Sequence, residues 1–215
     1  MTARMIMKLR VASARPTTPE VLHLRLVHPQ RTELPAWTPG AHVDVRLPDG
    51  RIRQYSLCGD PADRTQYEIA IKREDAGRGG SAWMHANLSP GSCAHVSAPR
   101  NNFPLVEAAS EHILIAGGIG VTPFVAMARQ LAAEDRNYVL HYCAPSPGRA
   151  PLLDELRIIC GERLRGWFSS TGNRFDPAAI GPPRAGVHVY ACGPQCGFRR
   201  KPATHSDAKP ASVPI

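Results

Sequence analysis

The chain has 215 residues, of which 43% are hydrophobic and 20% charged, and its formal net charge is +8. This length and composition suit one large globular domain or two small ones, and they are not those of a disordered chain. The positive charge favours anionic ligands or an acidic partner, but the basic residues are scattered without interleaved aromatic residues, so no nucleic acid is expected. The amino terminus has no apolar leader-like run, and no segment suits a membrane span, so we expect a cytoplasmic protein without a membrane partner.

The cysteines and histidines give no sign of a metal site. The six cysteines are dispersed and contain no C-x-x-C pair, which disfavours both a zinc site and a disulfide framework. The nine histidines show no spacing typical of ligands, so no metal is expected.

The first hundred residues predict short strands separated by tight turns. Alternating apolar and polar residues predict strands at 5–11, 21–26, 42–47, 52–57, 67–72 and 93–97. Residues 13–20 contain two prolines and are predicted to form the first turn, and Pro48-Asp49-Gly50 predicts a hairpin. About six short strands of this kind predict an antiparallel barrel or sandwich.

Two clusters in this half carry side chains suited to a flat, phosphorylated ligand. In RQYSL (53–57), Arg53 suits a phosphate, Tyr55 suits stacking on a ring, and Ser56 suits a hydrogen bond to a ring heteroatom. In GRGGS (77–81), Ser81 is expected to cap a short helix, which puts the glycines and Arg78 at a helix amino end that favours anions. A solvated strand and a flexible hairpin loop are the alternatives, and these residues alone leave them open.

The second half predicts strands that alternate with helices. An apolar run leads into Gly117, Gly118 and Gly120, and a helix is predicted to start with Thr122 as N-cap and Pro123 at its first position. Further strands are predicted at 138–143, 166–171 and 187–191, and helices at 151–160 and from 176. This alternation predicts a parallel sheet with its ligand at the carboxyl ends of the strands. The alternative for the glycines is an ordinary turn in which they only permit close packing.

Five motifs in order carry a family resemblance: RQYSL (53–57), GRGGS (77–81), PRNNFPL (99–105), GGIGVTP (117–123) and CGP (192–194). The sequence resembles the ferredoxin–NADP reductase superfamily and, within it, the phthalate dioxygenase reductase and vanillate demethylase reductase branch. The resemblance implies an antiparallel six-stranded flavin-binding β-barrel at residues 1–106. It implies a parallel-sheet α/β domain that binds NAD(P)H at residues 107–195.

The same resemblance implies roles for individual residues. It implies FMN, with FAD less favoured, and it places Arg53 toward the phosphate, Tyr55 against the ring and Ser56 near flavin N5. The other implied flavin-binding residues are Leu57, Ala70, Ile71, Lys72, Gly79, Gly80 and Ser81. NADH is the implied hydride donor, with NADPH left open, and the residues implied around its nicotinamide are Gly117, Gly118, Gly120, Thr122, Cys192, Gly193 and Pro194. Thr122 is expected near the flavin, and Cys192 is expected to position the nicotinamide rather than act as a nucleophile.

The chain departs from the family pattern after residue 195. The family usually carries a [2Fe–2S] ferredoxin domain, whose cluster needs C-x4-C-x2-C and a distant fourth cysteine, and this sequence has no such motif. Residues 196–215 are rich in Pro, Lys, Arg and Ser, which predicts a disordered tail and suggests a shifted reading frame or a truncation. The resemblance implies a reductase component of an aromatic-ring oxygenase or demethylase system, with a separate ferredoxin or oxygenase component as acceptor. The alternative is a truncated flavin-binding remnant without useful turnover.

Overall fold

The computed structural model describes residues 5–193, which form two sheets joined by the segment 102–110. The first sheet contains β1 (Ile6–Thr18), β2 (Val21–Val27), β3 (Ala41–Arg46), β4 (Ile52–Ser56), β5 (Gln66–Lys72), β6 (Cys93–Ser97) and β7 (Arg100–Asn101), with helix α1 (Gly80–Asn87) between β5 and β6. The second contains β8 (Glu111–Gly117), β9 (Tyr138–Ala144), β10 (Leu164–Phe168) and β11 (Val187–Cys192), with helices α2 (Thr122–Ala133) and α3 (Leu153–Cys160). Within residues 5–193, every helix is too short or too polar to cross a bilayer.

The first sheet is antiparallel and closes into a barrel. Its strands follow the order β4-β3-β6-β1-β2-β5, and β7 pairs with β3. The two outer strands meet where Leu57 pairs with Ile69, and the Cys58 amide donates to the Glu68 carbonyl at 2.9 Å. Every second residue of a strand faces the interior, which is why the alternating sequence pattern predicted these strands. The fully buried interior side chains include Leu9, Val11, Leu24, Leu26, Val43, Ile69, Ile71 and Val96.

The second sheet is parallel throughout and has the order β10-β9-β8-β11. Helices α2 and α3 pack over Leu114, Leu140 and Tyr142 on one of its faces. The connections run from β8 outward through β9 to β10 and then return to the other side of β8, so the direction changes between β8 and β11. Ligands of open parallel sheets bind at the carboxyl ends of the strands beside such a switch point. The predicted fold class, an antiparallel barrel followed by a parallel α/β sheet, is confirmed.

Two strand predictions have wrong bounds. Strand β1 runs through the predicted turn to Thr18, and register irregularities at 11–13 and 16–18 accommodate Pro16. Residues Ser169–Thr171 form a 3-10 turn instead of the end of the predicted strand. The brief helix predicted from Asp176 is present as the 3-10 turn Pro177–Ile180, which Asp176 caps.

Helix α2 connects the two layers. Phe124 and Met127 of α2 lie in one buried cluster with Cys58 and Ala70 of the barrel. Gly40 lies at this seam with φ +93°, where a Cβ would come within 1.9 Å of the Phe103 carbonyl oxygen and 2.9 Å of Met127 Cε. Both the positive φ and the lack of space require glycine here. The predicted domain boundary after residue 106 falls in the segment that joins the two sheets.

The Gly40→Ala substitution is expected to lower the free energy of unfolding by more than about 2 kcal/mol, since the new Cβ overlaps the Phe103 carbonyl and the positive φ disfavours alanine. Gly50→Ala is the matched control, because Gly50 has φ +84° but nothing within 4 Å of its Cβ position. Only the conformational cost of about 1 kcal/mol is expected there. Urea unfolding followed by tryptophan fluorescence measures both losses. Equal losses would contradict close packing at Gly40.

Candidate functional site

The first part of the candidate site is the amino end of α1. Gly79 has a left-handed backbone (φ +76°) and is the N-cap, no side chain caps this end, and the first turn holds no acidic residue. The Trp83 amide donates to the Gly79 carbonyl at 3.0 Å, so the amides of residues 80–82 precede the first intrahelical bond. This end of the helix therefore offers free N–H donors and a partial positive charge.

Arg53 of β4 lies against this helix end. A Cβ on Gly80 would be 3.0 Å from Arg53 Nε and 3.2 Å from Leu47 Cδ1, so any larger residue would push the guanidinium away from this helix end. The neighbouring Arg51 is paired with Asp49, whereas Arg53 forms no ion pair within residues 5–193. A cation beside the positive end of a helix dipole is unfavourable unless an anion lies between them. The arrangement therefore fits the phosphate of a flavin nucleotide.

Ser81 anchors the loop between β5 and α1. Its Oγ accepts a hydrogen bond from the Glu74 amide at 3.0 Å, and its own proton stays available for an anion. His85 Nε2 lies 2.8 Å from the Ile71 carbonyl oxygen and docks α1 on β5. The prediction that Ser81 caps the helix is wrong, because the positive φ of Gly79 starts the helix before it.

The strand residues predicted to bind the flavin fall into two groups, one partly exposed and one buried. Tyr55 and Ser56 are half-buried at the end of β4, and burial raises the pKa of the Tyr55 hydroxyl, which therefore stays protonated at neutral pH. The side chains of Leu57 and Ile71 are buried in the barrel core, and that of Ala70 is buried at the α2 seam. These three residues have only their backbone available to a ligand. Lys72 lies at the end of β5, and its Nζ pairs with Glu74 Oε1 at 2.8 Å.

The second part of the candidate site lies at the carboxyl ends of β8 and β11. Gly118–Val121 form a 3-10 turn that continues directly into α2. A Cβ on Gly120 would be 2.4 Å from the Cys192 carbonyl oxygen, and one on Gly193 would be 2.9 Å from Gly117 Cα. The predicted glycine turn and Cys192-Gly193 thus lie in direct backbone contact at the switch point of the sheet. Pro194 falls outside the described residues.

Thr122 does not have the capping role that the sequence predicted. Val121 is the N-cap and is already helical (φ −70°), because the preceding 3-10 turn places helical geometry upstream. Thr122 Oγ1 instead donates to the Ile119 carbonyl at 3.1 Å, and only 7% of the residue is exposed. Its expected position near a flavin stays a prediction.

Cys192 is half-buried, and burial raises the pKa of its thiol. The thiol is therefore neutral at physiological pH, and a neutral thiol is a poor nucleophile. This chemistry suits the predicted role of packing beside a ligand. Ser169, Ser170 and Arg174 are exposed beyond β10.

The sequence missed one cluster, which lies beside Ser56. Arg100, inside the PRNNFPL motif, donates to Asp44 Oδ1 at 2.7 Å and lies 3.4 Å from His42 Nε2. The available signal was two polar residues in the otherwise apolar stretch of β3, where all residues from 41 to 45 are buried. Within residues 5–193, no group of three or more His, Cys, Asp or Glu side chains is arranged for a metal ion.

The chain is similar to reductase components of oxygenase and demethylase systems. It is 42% identical to the phthalate 4,5-dioxygenase oxygenase reductase subunit of Pseudomonas putida, over 81% of this chain and 56% of that protein. It is 44% identical to the vanillate O-demethylase oxidoreductase of Pseudomonas putida, over 72% of this chain and 50% of that protein.

A solved structure gives the same result. Phthalate dioxygenase reductase, described as a modular structure for electron transfer from pyridine nucleotides to [2Fe–2S], matches with a TM-score of 0.82 and 38% identity, over 88% of this chain and 61% of that one. No protein-family model matches the chain. The chain therefore spans between 50% and 61% of the length of these three relatives.

Cys192 is expected to react with iodoacetamide at pH 7.5 at least about tenfold more slowly than the exposed Cys93, because its raised pKa leaves less thiolate. Peptide mass spectrometry after short labelling times separates the two sites. Labelling in urea is the control, and there the two rates should converge. Equally fast reaction in the folded protein would contradict a buried, protonated thiol.

Proposed function

Since the chain belongs to the family of phthalate dioxygenase reductase and vanillate demethylase reductase, we propose that it is an FMN-dependent NADH reductase. In this proposal it serves an aromatic-ring oxygenase or demethylase system and delivers electrons to a separate ferredoxin or oxygenase component. The observation that carries the proposal is the Arg53 guanidinium at the uncapped amino end of α1: within residues 5–193 it forms no ion pair, and its Nη1 donates only to the Ile52 carbonyl at 2.9 Å. This feature belongs to the chain itself and does not depend on the names of relatives.

The phosphate end of the proposed ligand is matched by donors only. A phosphate monoester carries a charge of about −1.5 to −2 at pH 7 and three acceptor oxygens. Arg53, the first-turn amides of α1 and the Ser81 hydroxyl supply charge-assisted hydrogen bonds to such a group. The preference for FMN over FAD comes from the GRGGS form of this loop.

The ring end of the proposed ligand would lie along β4 and β5. FMN, when bound, supplies a group that takes a hydride from a nicotinamide and releases the electrons singly. Tyr55 packs against the ring as a neutral phenol, and Ser56 places a hydroxyl beside N5. Backbone atoms of Leu57, Ala70 and Ile71 complete this wall, because their side chains are buried.

The nicotinamide is proposed to enter the crevice between the ends of β8 and β11. Gly117, Gly118 and Gly120 let the backbone approach the ligand closely, and Thr122 begins the helix that faces the barrel. The neutral thiol of Cys192 packs beside the nicotinamide and forms no covalent bond. The preference for NADH over NADPH rests on the family.

The Arg53→Ala substitution is expected to weaken FMN binding by roughly 10- to 100-fold, because it removes charge-assisted hydrogen bonds worth about 1.5–3 kcal/mol. Arg53→Lys should retain part of the affinity, since the charge remains but the fork geometry is lost. The control is Arg31→Ala, an exposed arginine between β2 and β3. Quenching of FMN fluorescence on titration with protein gives the dissociation constants. Unchanged affinity in Arg53→Ala would contradict the phosphate assignment.

Anaerobic addition of NADH to the FMN-loaded protein is expected to bleach the visible flavin absorbance. In the Gly120→Ala variant the new Cβ collides with the Cys192 carbonyl, so bleaching should be at least about tenfold slower while FMN still binds. Gly148→Ala is the control, because nothing lies within 4 Å of its Cβ position.

The outcomes separate the two candidate functions. Protein that binds FMN but stays oxidised under excess NADH would reject the reductase and leave a flavin-binding remnant. Protein that takes up no FMN would reject both.

A further inference from the structure

A polar cluster lies on the face of β3 opposite the barrel core. His42 pairs with Ser56 of β4 on one side and with Arg100 of β7 on the other, and Asp44 pairs with Gln54. Directly opposed residues of neighbouring strands share a face, so these side chains adjoin one another. His42 and Asp44 are only 6% and 5% exposed, and a buried carboxylate and imidazole require partners.

Arg100 holds this cluster in one arrangement. Its Nη2 donates to Asp44 Oδ1 at 2.7 Å and lies 3.4 Å from His42 Nε2. The short strand that carries it is anchored, because Asn101 Nδ2 donates to the Pro39 carbonyl at 2.9 Å. The guanidinium is therefore fixed with respect to the imidazole.

The position of Arg100 determines the protonation state of His42. A guanidinium has donors only, so Nε2 of His42 faces it as an acceptor and the ring proton lies on Nδ1. Burial and the charge of Arg100 lower the pKa of His42, while Asp44 acts in the opposite direction. Arg100 on β7 and Asp44 on the same strand as His42 are the charges that act on the ring. Arg46, at the far end of β3, pairs with Ile52 and His95, and β4 presents the neutral Ser56 and Gln54. His42 is thus a neutral imidazole with its proton on Nδ1.

His42 and Ser56 form the closer type of cross-strand pair. The Leu57 amide donates to the Ala41 carbonyl at 2.9 Å beside them, so the pair itself is not hydrogen bonded through its backbone. Side chains of such pairs approach more closely than those of hydrogen-bonded pairs. The imidazole and the hydroxyl are therefore neighbours on one face.

We propose that Arg100 and His42 are positioning residues for Ser56: His42 Nδ1 donates to Ser56 Oγ, and the serine proton is thereby directed to the flavin. This inference rests on the proposed flavin site beside Ser56. A hydroxyl that accepts one hydrogen bond donates its own proton elsewhere, so Ser56 presents a donor to the ring nitrogen. Arg100 prevents the opposite tautomer, which would leave Ser56 without this donor.

The test reads the histidine directly in the full chain without flavin. Nitrogen-15 NMR of labelled histidines, with His42→Asn to assign the signal, is expected to show a neutral ring protonated on Nδ1 at pH 7. In Arg100→Gln only Asp44 remains charged beside the ring, so the titration midpoint of His42 should rise by at least about one pH unit. The absorption of bound FMN should then become pH-dependent.

Two further variants make the test specific. Arg100→Lys keeps the charge and should restore most of the wild-type behaviour, which a purely structural role would not require. Arg10→Gln changes an exposed arginine of β1 and should alter neither signal. If Arg100→Gln fails to fold, the His42 tautomer in the wild type and the His42 titration in Arg100→Lys test the inference.

A cationic His42 at pH 7, or a proton on Nε2, would overturn the inference. So would FMN spectra of folded Arg100→Gln that match the wild type at every pH. Failure of the wild type to bind FMN rejects the proposed function instead, and the NMR result distinguishes the two failures because it needs no flavin.

Discussion

The guanidinium of Arg53 and the amino end of α1 are two positive groups that the fold holds in contact. Gly80 has no side chain to separate them, and His85 fixes the helix on β5. The helix end corresponds to roughly half a unit charge, and its interaction with a neighbouring charge is worth about 0.3–2 kcal/mol. A domain with a stability of about 5–15 kcal/mol tolerates this repulsion, and an anion converts it into attraction. Under the proposed function, the fold forms this phosphate site before any ligand arrives.

Helix α2 links the two parts of the candidate site, because it joins the crevice of the parallel sheet to the barrel. This helix begins at the switch point of the parallel sheet, and Ala126 reaches the apolar cluster of the barrel. Gly40 leaves the space that the Phe103 carbonyl and Met127 Cε occupy at this seam. Reacting atoms must come within about 3–3.5 Å for group transfer. A helix that starts at the crevice between β8 and β11 and packs on the barrel suits this requirement. A change in packing at Gly40 is therefore expected to shift α2 relative to the barrel.

Sequence patterns predicted the features that depend on local periodicity and missed those set by backbone conformation or by distant contacts. The alternation of apolar and polar side chains predicted most strands. Short strands joined by tight turns predicted the antiparallel sheet, and strands that alternate with helices predicted the parallel sheet. The N-cap roles of Ser81 and Thr122 were wrong because Gly79 and the 3-10 turn before α2 start the helices earlier. The contact of Arg53 with Gly80 joins residues far apart in the chain, and no local pattern reports it. The order of the five motifs, rather than any one of them, suggested that segments 53–57 and 77–81 lie close together.

Charge is distributed unevenly along the proposed ligand site, and the fold explains why. The arginine and the free amides lie at the end of the barrel where the loop before α1 is exposed. The groups near the seam with α2 are partly buried, and burial holds Tyr55 and Cys192 in their neutral forms. His42 is also neutral, and Asp44 offsets the charge of Arg100 beside it. In the proposed binding mode, charge therefore binds the anionic end of a nucleotide, whereas its ring meets neutral hydrogen-bonding groups. This separation would let the chain hold the phosphate of the proposed ligand by charge without placing a fixed net charge beside its ring.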